Sequence, residues 1–207
     1  NRGIYKSCNT YFSNVYRRII DKDNKVEENI NNWHKHLNSF GLGNYLGYDH
    51  PVGQPGYVPN ANFYNLWYPN QRWRGSTIVS NAIGQGEILM TPIQLANVAA
   101  TIANRGFFYT PHFVKGIQGD FIDPKYKTKR ATSISKEHFT NVIEGMADVV
   151  SKGTARVAGI RGIEVCGKTG TIENFTKIDG VRTQLTDHSV FIAFAPKDDP
   201  KIALAVI

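Results

Sequence analysis

The sequence predicts an α+β domain in which an antiparallel sheet is covered by helices. Two observations lead there. Helical periodicity fills much of the first 150 residues, whereas the last third breaks into short apolar runs of strand length. The final two runs are joined by Pro196-Lys197-Asp198-Asp199-Pro200, which reads as a tight antiparallel connection.

Taken in order, Asn9 to Ile20 places Tyr11, Phe12, Val15, Tyr16, Ile19 and Ile20 on one helical face, with Ser7 just before it. A second helix over Glu27 to Phe40 carries the stripe Ile30, Trp33, Leu37 and Phe40, and stops at Gly41-Leu42-Gly43. Residues 44–76 are rich in Asn, Gly, Pro and Tyr without a sustained period, so they read as a long irregular excursion. Its aromatics, Tyr57, Phe63, Tyr64, Trp67, Tyr68 and Trp73, are expected to pack against the domain; a grip on a partner molecule is the alternative. Order returns at Ile83-Gly84-Gln85-Gly86. Thr91, Pro92 and Gln94 then occupy the N-cap, N1 and N3 positions of a helix that runs to Asn104, before Gly106. Ser135 opens another helix, with Phe139, Val142, Ile143, Met146, Val149 and Val150 inward and Lys152-Gly153 closing it. Strands are expected over Gly162 to Thr171, His188 to Ala195 and Lys201 to Ile207.

With 41% hydrophobic and 12% aromatic residues, 207 residues can bury a core. The longest apolar run, Ile202 to Ile207, is far too short to cross a bilayer, and no signal-peptide pattern opens the chain. The opening Asn1-Arg2-Gly3 and the closing apolar run lead us to expect an internal piece of a longer protein. A net charge of +7 fits nucleic acid, an anionic membrane or merely a basic surface. Its real cluster, Lys125, Lys127, Lys129 and Arg130, lacks a stacking platform beyond Tyr126 and reads as a solvated loop or edge strand, so no nucleic-acid partner is expected. Cys8 and Cys166 give no zinc pattern; they read as two small buried thiols, with a bridge as the alternative, and leave the redox compartment open.

Chemistry concentrates in Lys168-Thr169-Gly170-Thr171. An ammonium and a hydroxyl on adjacent strand positions suit a carboxylate, and glycine lets a substrate backbone come close. Ser7-Cys8-Asn9 is a Ser-x-Asn element before a helix. By itself it reads as a helix cap, and it arises by chance in about half of chains this long. Together the two repeat the order and types of two of the three motifs that mark penicillin-binding proteins and serine β-lactamases.

Ser80-Asn81-Ala82-Ile83-Gly84-Gln85-Gly86 and Met90-Thr91-Pro92-Ile93-Gln94-Leu95-Ala96 then resemble the Gly-Gln-Gly and Thr-Pro-x-Gln stretches of class B penicillin-binding proteins. Gly153-Thr154-Ala155, Asp187-His188 and Phe191-Ile192-Ala193-Phe194-Ala195-Pro196 match as well. The likeness covers nearly the whole chain, least over 44–76. Within the family it is nearest the elongation-type group, penicillin-binding protein 2, through Ser7-Cys8-Asn9-Thr10-Tyr11-Phe12 and Asp187-His188.

The resemblance implies a β-lactamase/transpeptidase-like fold with helices on both faces of the sheet, and a peptidoglycan D,D-transpeptidase that acts without a cofactor. A serine attacks the D-Ala-D-Ala carbonyl of a stem peptide, D-alanine leaves, and a neighbouring stem's amine takes the acyl group. Carried over by position, Ser7 passes the proton to the leaving amine and Asn9 bonds the substrate amide. Lys168 sustains the proton network and, with Thr169, holds the terminal carboxylate. Gly170 gives room, and the Thr171 N–H is one of two oxyanion donors. β-Lactam antibiotics mimic the dipeptide. The same resemblance implies the periplasmic face of a bacterial inner membrane and a membrane glycosyltransferase partner. A β-lactamase, a β-lactam sensor and a non-catalytic wall scaffold would share the fold.

One departure stands out. The family's nucleophile lies in a Ser-x-x-Lys motif ahead of Ser-x-Asn, and only six residues precede Ser7, so the chain is expected to be the C-terminal part of the domain without its nucleophile. Ser133-Ile134-Ser135-Lys136 fits the pattern but falls between the other motifs, amid Lys129, Arg130 and Glu137 rather than the apolar setting such a lysine needs, and is read as a decoy. His34 and His36 are two apart on a helix and point to different faces, so they cannot chelate together, and no metal is expected. His188 is expected to brace the cleft by hydrogen bonds.

Overall fold

The computed structural model describes residues 1–50, 52–70, 72–116 and 122–207. Helices run over Arg2–Tyr5 (α1), Asn9–Ile20 (α2), Val26–Ser39 (α3), Ala61–Trp67 (α4), Pro92–Ala103 (α5) and Glu137–Ser151 (α6). Strands run over Phe107–Tyr109 (β1), Lys129–Ala131 (β2), Cys166–Ile172 (β3), Phe175–Ile178 (β4), Val181–Gln184 (β5), His188–Ala195 (β6) and Ile202–Val206 (β7). The main sheet is antiparallel in the order β3-β6-β7, and two hairpin-sized sheets, β1-β2 and β4-β5, sit beside it.

Register fixes what each strand offers. Cys166 pairs with Phe194 and Ile172 with His188, while Ala195 pairs with Ile202 and Phe191 with Val206. Alternate residues point to opposite faces. Cys166 and Phe194 accordingly join Ala103 of α5 and Phe139, Ile143, Met146 and Ala147 of α6 in one core. Ile202, Leu204 and Val206 occupy the alternate positions of β7 and stand exposed. Two further cores flank this one: Val149, Val150, Ala155, Val165 and Ala193 pack with Ile4 and Tyr5, and Tyr16, Ile20, Ile30, Ala61, Tyr64, Trp73 and Ile78 join α2, α3 and α4.

Several expected elements hold with small shifts of boundary. Thr91 and Gln94 form the complete capping box of α5, and His188 to Ala195 is β6 to the residue. The fourth helix to be expected starts at Glu137 rather than Ser135, and neither Ser135 nor the cap residue Lys136 bonds the helix end through its side chain. β3 begins at Cys166 rather than Gly162, because Gly162 at φ 80° sits in a turn between the bridged residues Ile160 and Ile163.

Two parts of the fold depart from the sequence reading. Residues 44–76, of which Pro51 and Gln71 lie outside the described residues, contain α4, started by the Asn60 side chain accepting from the Phe63 N–H. Of their aromatics, Tyr64 and Trp73 are buried in the core while Trp67 is exposed. The hairpin β4-β5 turns at Asp179 (φ 52°) and Gly180 (φ 81°), two left-handed residues of the kind whose twist suits a two-residue hairpin.

The basic cluster divides between a short turn at Pro124–Tyr126 and the strand β2, which carries Lys129 and Arg130. Lys129 lies 4.5 Å from the Phe107 ring centroid, Arg130 4.9 Å from that of Phe108, and Lys125 4.7 Å from that of Tyr126. The two cysteines are not bridged, and only Cys166 is buried; Cys8 is half-buried. Burial pushes the Cys166 thiol up to about 12. In the native protein at pH 8, iodoacetamide should therefore modify Cys8 and spare Cys166, which reacts only on unfolding. Peptide mapping before and after guanidinium reads this, and an adduct on Cys166 of the native protein would refute it.

Candidate active site

The site begins with a close helix contact. α1 lies against α6 and the turn just past it at two glycines: a Cβ on Gly145 of α6 would stand 2.7 Å from Ile4 Cδ1, and one on Gly153, beyond the helix end, would stand 2.7 Å from the Tyr5 carbonyl oxygen. Only hydrogen fits there. The chain then leaves α1 through a tight turn, with the Ser7 N–H donating to Ile4 O (3.0 Å) and the Cys8 N–H to Gly3 O (2.9 Å), and Ser7 itself left-handed at φ 50°. The cap reading of Ser7 is thereby corrected, since Cys8 is the N-cap of α2 and makes no side-chain bond there.

The Ser7 hydroxyl instead faces β3. Its Oγ accepts from Lys168 Nζ at 2.9 Å, a contact between residues 161 apart in sequence. Lys168 is half-buried and also donates to the Thr169 carbonyl; burial holds its ammonium below the usual lysine value. Asn9 opens α2 two residues beyond Ser7 and is exposed.

β3 is the edge of its sheet among the described residues, and its free edge can be located. Gln85 Nε2 donates to the Thr171 carbonyl at 3.2 Å. A strand residue directs its N–H and C=O to the same edge, so the Thr171 N–H also points outward, away from β6. Thr169 is held from the other side, its Oγ1 lying 2.8 Å from that of Thr154. The sequence marks the segments carrying Gln85 and Thr154 but not that they hold Thr171 and Thr169 of β3. A side chain reaching from a distant loop to a strand edge leaves no periodic trace.

The two glycines of β3 differ. A Cβ on Gly167 would meet the Phe191 ring at 2.6 Å, so the sheet itself requires that glycine. One on Gly170 would find Val190 Cβ at 3.6 Å, an ordinary contact. Nothing in the fold requires glycine at 170, and its open face adjoins the Ser7–Lys168 pair along the strand.

The other candidates lie outside this arrangement. Ser133 Oγ is 2.6 Å from His36 Nδ1 and 3.0 Å from Ser39 Oγ at the end of α3, and both Ser133 and Lys136 are exposed. His34 bonds Val58 O and Asn38 instead, on a different side of the helix from His36. The bracing expected of His188 falls to its neighbour. Asp187 Oδ1 accepts from the Asn174 N–H (3.2 Å) and Gln184 Nε2 (2.7 Å), tying the β4-β5 hairpin to β6, while His188 is exposed and makes no side-chain hydrogen bond among the described residues. No group of three or more His, Cys, Asp or Glu among the described residues is arranged to hold a metal, and no described helix is long and apolar enough to cross a membrane.

With this geometry in hand, the relatives are informative. All of residues 1–207 match the family described as the penicillin binding protein transpeptidase domain. The chain is 32% identical over 223 residues to the peptidoglycan D,D-transpeptidase MrdA of Acinetobacter baumannii, covering 100% of this chain and 31% of that relative. Among solved structures, PBP2 of Pseudomonas aeruginosa in complex with WCK 5153 superposes with a TM-score of 0.76 at 27% identity, over 98% of this chain and 41% of that one. PBP2 of Helicobacter pylori in complex with MreC superposes at 0.70 and 29% identity, over 99% of this chain and 35% of that one. The chain therefore belongs to the penicillin binding protein transpeptidase domain family.

Proposed function

We propose that the chain is the C-terminal part of the transpeptidase domain of a peptidoglycan D,D-transpeptidase, and that it forms the wall of the cleft across from a nucleophilic serine contributed by another segment of the protein. The contact between Ser7 Oγ and Lys168 Nζ carries this reading, because it joins the Ser-x-Asn and Lys-Thr-Gly elements into one polar pair. The chain spans 31% of the length of its A. baumannii relative, which leaves ample room for that segment.

Each residue then has a task. The D-Ala-D-Ala end of the donor stem peptide lies along the free edge of β3, where Gly170 leaves it room. Its terminal carboxylate meets the Lys168 ammonium and the Thr169 hydroxyl. As the serine oxygen attacks the carbonyl, negative charge grows on the carbonyl oxygen, and the outward Thr171 N–H is placed to receive it. The Lys168–Ser7 pair carries the proton to the leaving D-alanine amine; its lowered pKa eases the transfer. Asn9 accepts or donates to the substrate amide. β-Lactam antibiotics enter by the same contacts and remain as acyl adducts. The likeness to MrdA and PBP2 favours a role in cell elongation at the periplasmic face of the inner membrane, beside a membrane glycosyltransferase. The H. pylori PBP2 structure with MreC lends support to such an assembly.

Fluorescent penicillin labelling tests the reading. The full-length protein should be labelled, and Ser7→Ala should slow labelling about a hundredfold. Labelling of Ser7→Ala at the wild-type rate would remove the pair from the reaction. Gly170→Val should leave the melting temperature within a few degrees yet slow acylation at least about tenfold, because its side chain fills substrate space rather than core. An undiminished rate would show that substrate does not use this edge.

A further inference from the structure

A single buried hydroxyl clamps both sides of the Gly84-Gln85-Gly86 turn. Tyr64 is fully buried on α4, and its OH accepts from Asn81 Nδ2 at 2.6 Å while donating to Glu87 Oε2 at 2.9 Å. Asn81 precedes Gln85 by four residues and Glu87 follows it by two. Asn81 also donates to the Tyr16 OH of α2 at 3.3 Å.

The turn between those anchors has little freedom. The Gly84 N–H donates to Asn81 O (3.2 Å) and the Gln85 N–H to Ser80 O (3.1 Å). Gly84 and Gly86 are both left-handed at φ 75°, and a Cβ on Gly86 would crowd Ser80 Cβ at 3.1 Å and Asn81 Oδ1 at 3.3 Å. Gln85 emerges from this tight turn and reaches the Thr171 carbonyl on β3.

We infer that Tyr64 is a positioning residue for the cleft: its hydroxyl sets the Gly84-Gln85-Gly86 turn through Asn81 and Glu87, and Gln85 passes that placement to the β3 edge at Thr171. The inference rests on the function proposed above. It gives α4 a part in catalysis although no atom of it lies at the reacting centre. Because Asn81 also holds Tyr16, the helix that begins at Asn9 and the edge that ends at Thr171 share one reference point. Burial raises the Tyr64 pKa well above the usual tyrosine value, so its proton stays in place for the Glu87 bond across the working pH range.

The test uses the full-length protein, fluorescent penicillin, and the variants Tyr64→Phe and Gln85→Ala singly and together. Each single variant should slow acylation about tenfold, the loss of roughly one well-placed hydrogen bond. The double variant should be no slower than the slower single one, since both break the same link. A purely structural role for Tyr64 would lower the melting temperature and leave the acylation rate unchanged. That result, or losses that multiply in the double variant, would overturn the inference while leaving the function proposed above intact. A wild-type protein that takes no label overturns both. Should Tyr64→Phe fail to fold, Glu87→Ala opens the outer half of the clamp at a half-buried position; it should slow acylation about threefold, and a wild-type rate would count against the clamp.

Discussion

Lys168→Ala in the full-length protein should lower the rate of acylation by benzylpenicillin at least about a hundredfold, with the melting temperature nearly unchanged. The two halves of this expectation have separate causes. Lys168 is the donor of the 2.9 Å bond to Ser7, so its removal breaks the proton path and takes away the cation that holds the substrate carboxylate. Its ammonium is held in a partly buried place that disfavours charge, and no carboxylate is paired with it among the described residues. Deleting it therefore removes little that stabilises the fold. Lys168→Arg should recover only a small part of the rate, because a planar fork cannot reproduce the reach of an ammonium to one hydroxyl. Stopped-flow acylation and a thermal melt on the same samples separate these effects. A rate within threefold of wild type for Lys168→Ala would contradict the assigned role.

Gly153→Ala should cost about 3 kcal/mol, which for a domain of this size lowers the melting temperature by roughly 6–12 °C. The added methyl would stand 2.7 Å from the Tyr5 carbonyl oxygen, 2.7 Å from Val149 Cα and 2.9 Å from Val149 O. All three are backbone atoms, so no side chain can swing aside to admit it. Relief needs α1 to lift from the end of α6 and the chain at Gly153 to move off Val149. Ser7 follows Tyr5 by two residues, so that movement also carries its hydroxyl away from Lys168, and acylation should fall together with stability. Gly170→Ala is the control on the same cleft: its methyl meets only ordinary contacts, so its melting temperature should match wild type. A Gly153→Ala protein melting within about 2 °C of wild type would show that the α1–α6 contact is looser than described.

What the sequence discloses, and what it hides, follows from the range of each interaction. The α5 start was legible because Thr91 and Gln94 bond each other three residues apart, and β6 because the continuous apolar run Val190 to Ala195, of strand length, is itself the signal. The Lys-Thr-Gly and Ser-x-Asn elements could be paired by their order, but their 2.9 Å contact needed the fold. α4 was hidden because seven residues make under two turns, too few for a period to show. Asn60 three residues before Phe63 was its only local mark. The β4-β5 hairpin carries a turn signal, Asp179-Gly180 between Phe175-Thr176-Lys177-Ile178 and Val181-Arg182-Thr183-Gln184, but its strands are almost wholly exposed and so lack the apolar run that marks a core strand. Ser7 looked like a helix cap for a sound local reason, and only packing of α1 on Gly145 of α6 and on Gly153 just past its end turns it into the left-handed region toward Lys168. The Tyr64 clamp spans residues 64 to 87 through side-chain tips, the kind of link that no periodicity records.

The central claim is that residues 1–207 supply the proton path, carboxylate grip and oxyanion edge, while the acylated serine lies elsewhere in the protein. Peptide mapping by mass spectrometry after benzylpenicillin treatment of the full-length protein tests it most directly. The account predicts one penicilloyl adduct on a serine outside residues 1–207, with Ser7 and Ser133 unmodified. An adduct on Ser133, on Ser7 or on any other residue of this chain would contradict it.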